Sequence, residues 1–404
     1  MTTPINSRKC ESALKHIQDV VQTTPMRDVL LSLPLSRTSY LEEHQELRSA
    51  YDDAVTQYNH AVTIAKSLAA KYQIKKSAFE RKNESFKATG QINLSRLANY
   101  KTSNEIFHNK LNVRQAGNHG LVVILDISHS MQGKIKFLAM QFLITALYSK
   151  YAKINSEIYA FTSVNKDIEI MPLVDQSTSI AKIRELFFSM HISNITENPY
   201  ELTDIADAGK IQNTSLFAGR MGTTPLTQAK IFAYHRAMRM KSLGIENVSV
   251  TFVTDGEATD SHAASGGGTI TCPYSRRAFN INGSNVLQTL NKMMRLQNIK
   301  VFNIFVAKTC RQRNLRDTIL YYCAGLDVDS ALIEKVNALQ AENDAIAVEE
   351  LVGYNVFYAI SCNPKENKRE SKNAKAILEK TLKEVKAFSV LGEHLNTTVC
   401  QDFS

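Results

Sequence analysis

The chain has 404 residues, 44% hydrophobic and 22% charged, with a formal net charge of +9. This is globular composition, and it excludes a mainly disordered or fibrous protein. The length suggests two or three domains at about 150 residues each. Apolar runs such as Leu121–Leu125 fall far short of the roughly 18–20 residues a membrane helix needs. The first residues, MTTPINSRKCESALKH, hold no apolar signal core, so export by that route is not expected. Six cysteines (Cys10, Cys272, Cys310, Cys323, Cys362, Cys400) are scattered with no C-x-x-C pair. That argues against a disulfide scaffold or zinc knuckle and suits a reducing cytoplasm.

The positive charge is uneven. Residues 1–118 carry 17 basic and 11 acidic side chains, residues 119–362 carry 23 and 22, and residues 363–404 carry 8 and 6. The N-terminal excess could attract nucleic acid or an acidic partner. No dense basic run interleaved with aromatic residues accompanies it, so a solvated, lysine-rich helical surface is the simpler reading.

In chain order, residues 1–88 read as a helical region. Ser39 is placed to cap a helix over residues 40–82, whose apolar stripe is Leu47, Tyr51, Val55, Tyr58, Val62, Ala65, Leu68 and Tyr72. Spacings of three and four are helical, and no Gly or Pro interrupts them. One stripe needs one covering surface, so a helical hairpin or a docked partner is expected. Residues 89–118, rich in Asn and punctuated by Gly, read as a linker.

From Gly120 the pattern changes. LVVILDIS reads as a strand buried on both faces. A mostly apolar helix follows over residues 134–152. Strands are expected at 156–163 and 167–173, and a helix at 179–191. Residues 192–221 show no clear period. A helix at 224–243 leads to strands at 247–256, 299–308 and 355–361. Strands alternating with helices predict a mainly parallel α/β sheet covered on both faces, spanning residues 119–362. Residues 258–283, rich in Gly, Ser and Thr, predict an inserted hairpin or lid. Residues 363–404 read as a lysine-rich helical tail.

Open α/β sheets bind ligands at the carboxyl edge of their strands, and three such places carry hard oxygen donors. They are Asp126-Ile127-Ser128-His129-Ser130, Gly222-Thr223-Thr224-Pro225-Leu226 and Thr254-Asp255-Gly256-Glu257. Two carboxylates and several hydroxyls, without thiol or imidazole, suit Mg²⁺ or Mn²⁺. So few carboxylates leave coordination positions open, and an acidic residue of a partner could complete the shell. That is binding chemistry and needs no bond cleavage. The chain has neither a G-x-S-x-G elbow around Ser128 nor a Walker A sequence.

These three motifs, in this order, resemble the metal-ion-dependent adhesion site of von Willebrand factor A domains. The resemblance implies that Ser128, Ser130 and Thr224 contact the metal directly, and that Asp126 and Asp255 act largely through waters. His129 stands where the family usually has Gly, and a positive φ there would strain it. Of the two threonines, Thr224 is the expected ligand because it precedes the Pro-Leu that opens the helix. Glu257 is read either as an acceptor standing behind the metal ligands or as a helix-capping acid.

The stretches GQINLSRLANYKTSNEIF and GNHGLVVILDISHSM resemble more narrowly the T-type subunit of aerobic cobaltochelatase and its phage-encoded relatives. That implies a metal-dependent adaptor working beside an AAA+ ATPase of the MoxR type. The long acidic stretch of the chelatase subunit is missing here. Two other classes stay open: a subunit that helps insert a metal into a tetrapyrrole, and a ribonucleoprotein component.

Overall fold

Leu121, Val123 and Leu125 face one core, and Val122 and Ile124 face another. This is why the strand that carries them shows no polar alternation. The computed structural model describes residues 15–16, 48–82, 85–87, 91–102, 107–109, 118–131, 134–164, 167–195, 222–255, 268–272, 274, 277–281, 286–307, 330, 334 and 345–361. The tail at 363–404, the capping Ser39 and Glu257 lie outside these residues.

In chain order the main elements are α1 (Arg48–Lys82), β1 (Ser85–Lys87), β2 (Gln91–Ile92), β3 (Phe107–Asn109) and β4 (His119–Asp126). Then come α2 (Ile135–Ala152), β5 (Asn155–Val164), β6 (Asp167–Val174), α3 (Ile180–Ile195), α4 (Leu226–Ser242) and β7 (Asn247–Thr254). The remainder are β8 (Gly268–Thr271), β9 (Ala278–Ile281), α5 (Val286–Leu296), β10 (Ile299–Ala307), β11 (Ala345–Glu349) and β12 (Val356–Ser361).

A seven-stranded sheet has the order β11-β12-β10-β7-β4-β5-β6. The inner pairs β12/β10, β10/β7, β7/β4 and β4/β5 are parallel, while β11 and β6 add antiparallel edges. Helices α1, α2 and α3 share one core with one face, and α4 and α5 share the other. The protein is thus α/β, with a mainly parallel sheet covered on both sides. Among the described residues no helix is long and apolar enough to cross a membrane.

Helix α2 is buried almost all round, from Ile135 to Ser149. A helix with apolar residues on every face must be covered on every face. The sheet covers one flank and α1 the other. On α1, Ala54, Ala61 and Ala65 are fully buried, Leu68, Ala69 and Tyr72 nearly so, and Val55, Tyr58 and Val62 pack at the margin. The α1 stripe is therefore covered by the α/β domain itself rather than by the helical hairpin or docked partner expected from sequence, and the alanines at its centre let the two helices approach closely. Lys136 Nζ donates to Asp53 Oδ2 at 2.9 Å near the start of both helices, and Gln73 Nε2 donates to the Ala152 carbonyl at 3.1 Å near their ends. The two helices therefore run in the same direction.

Two smaller sheets accompany the large one. Strands β1, β3 and β2 form an antiparallel trio within and beside the stretch read as a linker. The inserted segment forms the β8/β9 hairpin. Beyond β8, the Tyr274 hydroxyl meets Nδ1 of His235 on α4 at 3.1 Å. Burial, with Arg236 beside it, pushes His235 down to about 4, so the imidazole is neutral and Nδ1 can accept a hydrogen bond from the tyrosine hydroxyl.

Helix α4 is fixed from below by a buried amine. Lys230 Nζ donates to Asn291 Oδ1 at 2.7 Å and to the Tyr354 hydroxyl at 2.8 Å. It lies 4.1 Å from the Phe252 ring centroid and 4.3 Å from that of Tyr354. Burial lowers its pKa well below the ordinary lysine value. Asn291 passes the tie onward, its Nδ2 donating to the Val352 carbonyl at 2.9 Å. The helix that opens just after Thr224 is thus anchored to α5 and to the turn before β12.

Candidate metal centre

Asp126 ends β4 and is completely buried. One carboxylate oxygen accepts the Ser128 backbone N–H at 2.8 Å, the other the Thr254 hydroxyl at 2.6 Å. Burial pushes the carboxyl up to about 6, against the pull of these hydrogen bonds. The chain then turns through a single 3-10 turn, His129–Met131.

The two serines hang from that turn. Ser130 Oγ donates to Asp255 Oδ1 at 2.6 Å, and Ser128 Oγ lies 3.0 Å from Ser130 Oγ. Ser130 has one proton and spends it on Asp255, so Ser128 is the donor between the serines. Both hydroxyls keep lone pairs. Asp255 follows β7 directly, with its side chain 1% exposed.

The third loop is drawn in by its backbone. Gly222 accepts the His129 N–H at 2.8 Å, and its own N–H donates to Thr162 Oγ1 at 2.9 Å. A Cβ built on Gly222 would stand 1.8 Å from the Ser163 carbonyl oxygen, so only glycine fits. Gly222→Ala is expected to destabilise the protein by about 1–3 kcal/mol, as overpacking does, and to displace the Thr224 loop. Chemical denaturation with and without Mg²⁺ measures both effects.

The two threonines separate. Thr223 is exposed and its hydroxyl lies 2.5 Å from Ser163 Oγ, which also accepts the Thr223 N–H at 3.1 Å. Thr224 is 3% exposed and sits just before α4. His129 is exposed, and it is not among the described non-glycine residues with positive φ, which are Lys153, Asn298, Glu350 and Val352. Histidine between the serines therefore costs no backbone strain.

Of the five residues singled out from sequence, Asp126, Ser128, Ser130 and Asp255 meet through Thr254, the Ser128 N–H and the hydroxyl chain. Thr224 stands on the adjoining loop. Sequence reasoning missed Lys134. Its side chain is 4% exposed, its ammonium pairs with Asp255 Oδ2, and it donates to the Val306 carbonyl at 3.3 Å. A lone lysine heading an otherwise apolar helix was the available signal.

Among the described residues no three His, Cys, Asp or Glu side chains form a metal-binding group. The donors present are hydroxyls and two carboxylates, an all-oxygen set that fits Mg²⁺ or Mn²⁺ rather than zinc or copper.

No family model matches the chain, and no curated protein matches it. Among solved structures it is similar to the pilus adhesin SpaC from Lactobacillus rhamnosus GG, at 10% identity and a TM-score of 0.28, over 55% of this chain and 29% of that one. It is also similar to the human COPII-coat protein Sec24c, at 12% identity and a TM-score of 0.25, over 48% of this chain and 26% of that one. The chain thus spans under a third of each of these two structures. Neither likeness bears on the site.

Proposed function

We propose that the protein is a von Willebrand factor A-type binding module. Its Mg²⁺ or Mn²⁺ site would take an acidic side chain of a partner, and it would serve a MoxR-type AAA+ ATPase as a cytoplasmic adaptor. The observation that carries this reading is the hydrogen-bonded chain from Thr254 through Asp126, Ser128 and Ser130 to Asp255. It draws the ends of β4 and β7 together at the carboxyl edge of the sheet. There Ser128, Ser130 and Thr224 would hold the ion, with Asp126 and Asp255 behind them. The ion would supply a Lewis-acidic position for a partner carboxylate. The chain's own part is to keep the hydroxyl protons turned toward Asp255, so that lone pairs face the ligand.

The test is affinity capture from host cells with Mg²⁺ or with chelator, using wild type and Ser128→Ala. Mg²⁺-dependent capture of an AAA+ ATPase by wild type alone is the expected result. Equal capture by both proteins would remove the metal site from the contact. Recovery of RNA lost steeply with salt would replace the reading with a ribonucleoprotein role.

A further inference from the structure

We propose that Lys134 is a tethered cation that competes with the metal ion for Asp255 and so keeps Mg²⁺ affinity low until a partner supplies another carboxylate. This rests on the metal reading above. The argument begins with the four carboxylate oxygens. Those of Asp126 take the Ser128 N–H and the Thr254 hydroxyl, and those of Asp255 take the Ser130 hydroxyl and the Lys134 ammonium. Every one has a donor without any metal.

The lysine is held in place. It lies just ahead of α2, its N–H bonds the Met131 carbonyl at 2.9 Å, and its ammonium also reaches Val306 at the end of β10. With a side chain 4% exposed, its charge is poorly screened by solvent. Two carboxylates and one ammonium leave the site a single negative charge. A divalent cation entering it meets both a weakened Asp255 and a nearby positive charge. A carboxylate from a partner restores the balance, so metal and acidic partner should strengthen each other's binding.

The experiment is Mg²⁺ titration calorimetry on full-length, chelator-stripped protein, with metal-free melting recorded for each variant. Lys134→Gln is expected to bind Mg²⁺ about tenfold more tightly or better, and to melt lower than wild type without metal. Lys134→Arg keeps the charge and should stay close to wild-type affinity. Lys134→Met, of similar volume, repeats the measurement if the Gln variant does not fold. If wild type binds Mg²⁺ and Lys134→Gln binds it equally or more weakly, the lysine proposal falls while the metal reading stands. If neither wild type nor any Lys134 variant takes up Mg²⁺ at millimolar concentration, the metal reading falls and takes this proposal with it.

Discussion

A fragment that begins at residue 85 is expected to lose cooperative folding. The sequence separates an N-terminal helical region from the α/β domain, yet α1 places Ala54, Ala61, Ala65, Leu68, Ala69 and Tyr72 in the same core as α2 and the sheet. Burying that face stabilises the protein by on the order of 7 kcal/mol, against a typical domain stability of about 5–15 kcal/mol. Removing α1 also bares the outer flank of α2, a mostly apolar helix buried almost all round. An exposed patch of that kind favours aggregation. Circular dichroism and urea denaturation of the fragment make the measurement. Ala61→Glu in the full chain, which would bury an unpaired charge in the same contact, should act in the same direction. A fragment that melts like the full chain would make α1 an accessory arm.

Asp255→Ala is expected to cost about 3–5 kcal/mol in chelator, because it strands the Lys134 ammonium in a buried position. A purely metal-binding role for Asp255 would leave metal-free stability untouched. The distinction comes from the pair's burial, with side chains 4% and 1% exposed, where the loss of one partner is felt in full. Adding Lys134→Met to Asp255→Ala should recover most of the loss, since an apolar side chain needs no counter-charge. Denaturation midpoints of the two singles and the double complete the cycle. A cost below about 1 kcal/mol for Asp255→Ala, within the range of an exposed pair, would show that the ion pair does not form in solution.

The sheet was largely legible because burial on both faces writes itself as unbroken apolar runs. The strands β4, β7 and β10 fall within a residue or two of their predicted bounds. Helix α1 was legible as a helix but its cover was not, because a stripe says that a surface is needed and not which one. Helix α5 was not legible although Leu287, Leu290, Met293 and Met294 are buried at helical spacing; it is only 11 residues long and sits between the Gly-rich insertion and β10. Strand β11 is short and lies at an edge, where the local pattern is weakest.

Asp126, Ser128, Ser130 and Asp255 were legible because each lies within a few residues of a strand end, and parallel strands bring their carboxyl ends together. Lys134 was not, because spacing along the chain does not say that a long side chain folds back toward a neighbouring strand. Thr254 stood in the third motif without a role for the same reason, since its part depends on lying across from Asp126.

The shared direction of α1 and α2 has one more consequence. Asp53 holds Lys136 beside the first turn of α2, and the loop leading into that turn carries Ser128, Ser130 and Lys134. Arg48 opens α1 five residues ahead of Asp53, so the first turn of α1 lies toward the same end of α2 as that loop. Bulk added to the first turn of α1 would therefore crowd the start of α2 and the Ser128–Ser130 loop that leads into it, whereas bulk added at the Lys82 end of α1 would stand at the opposite end of the helix.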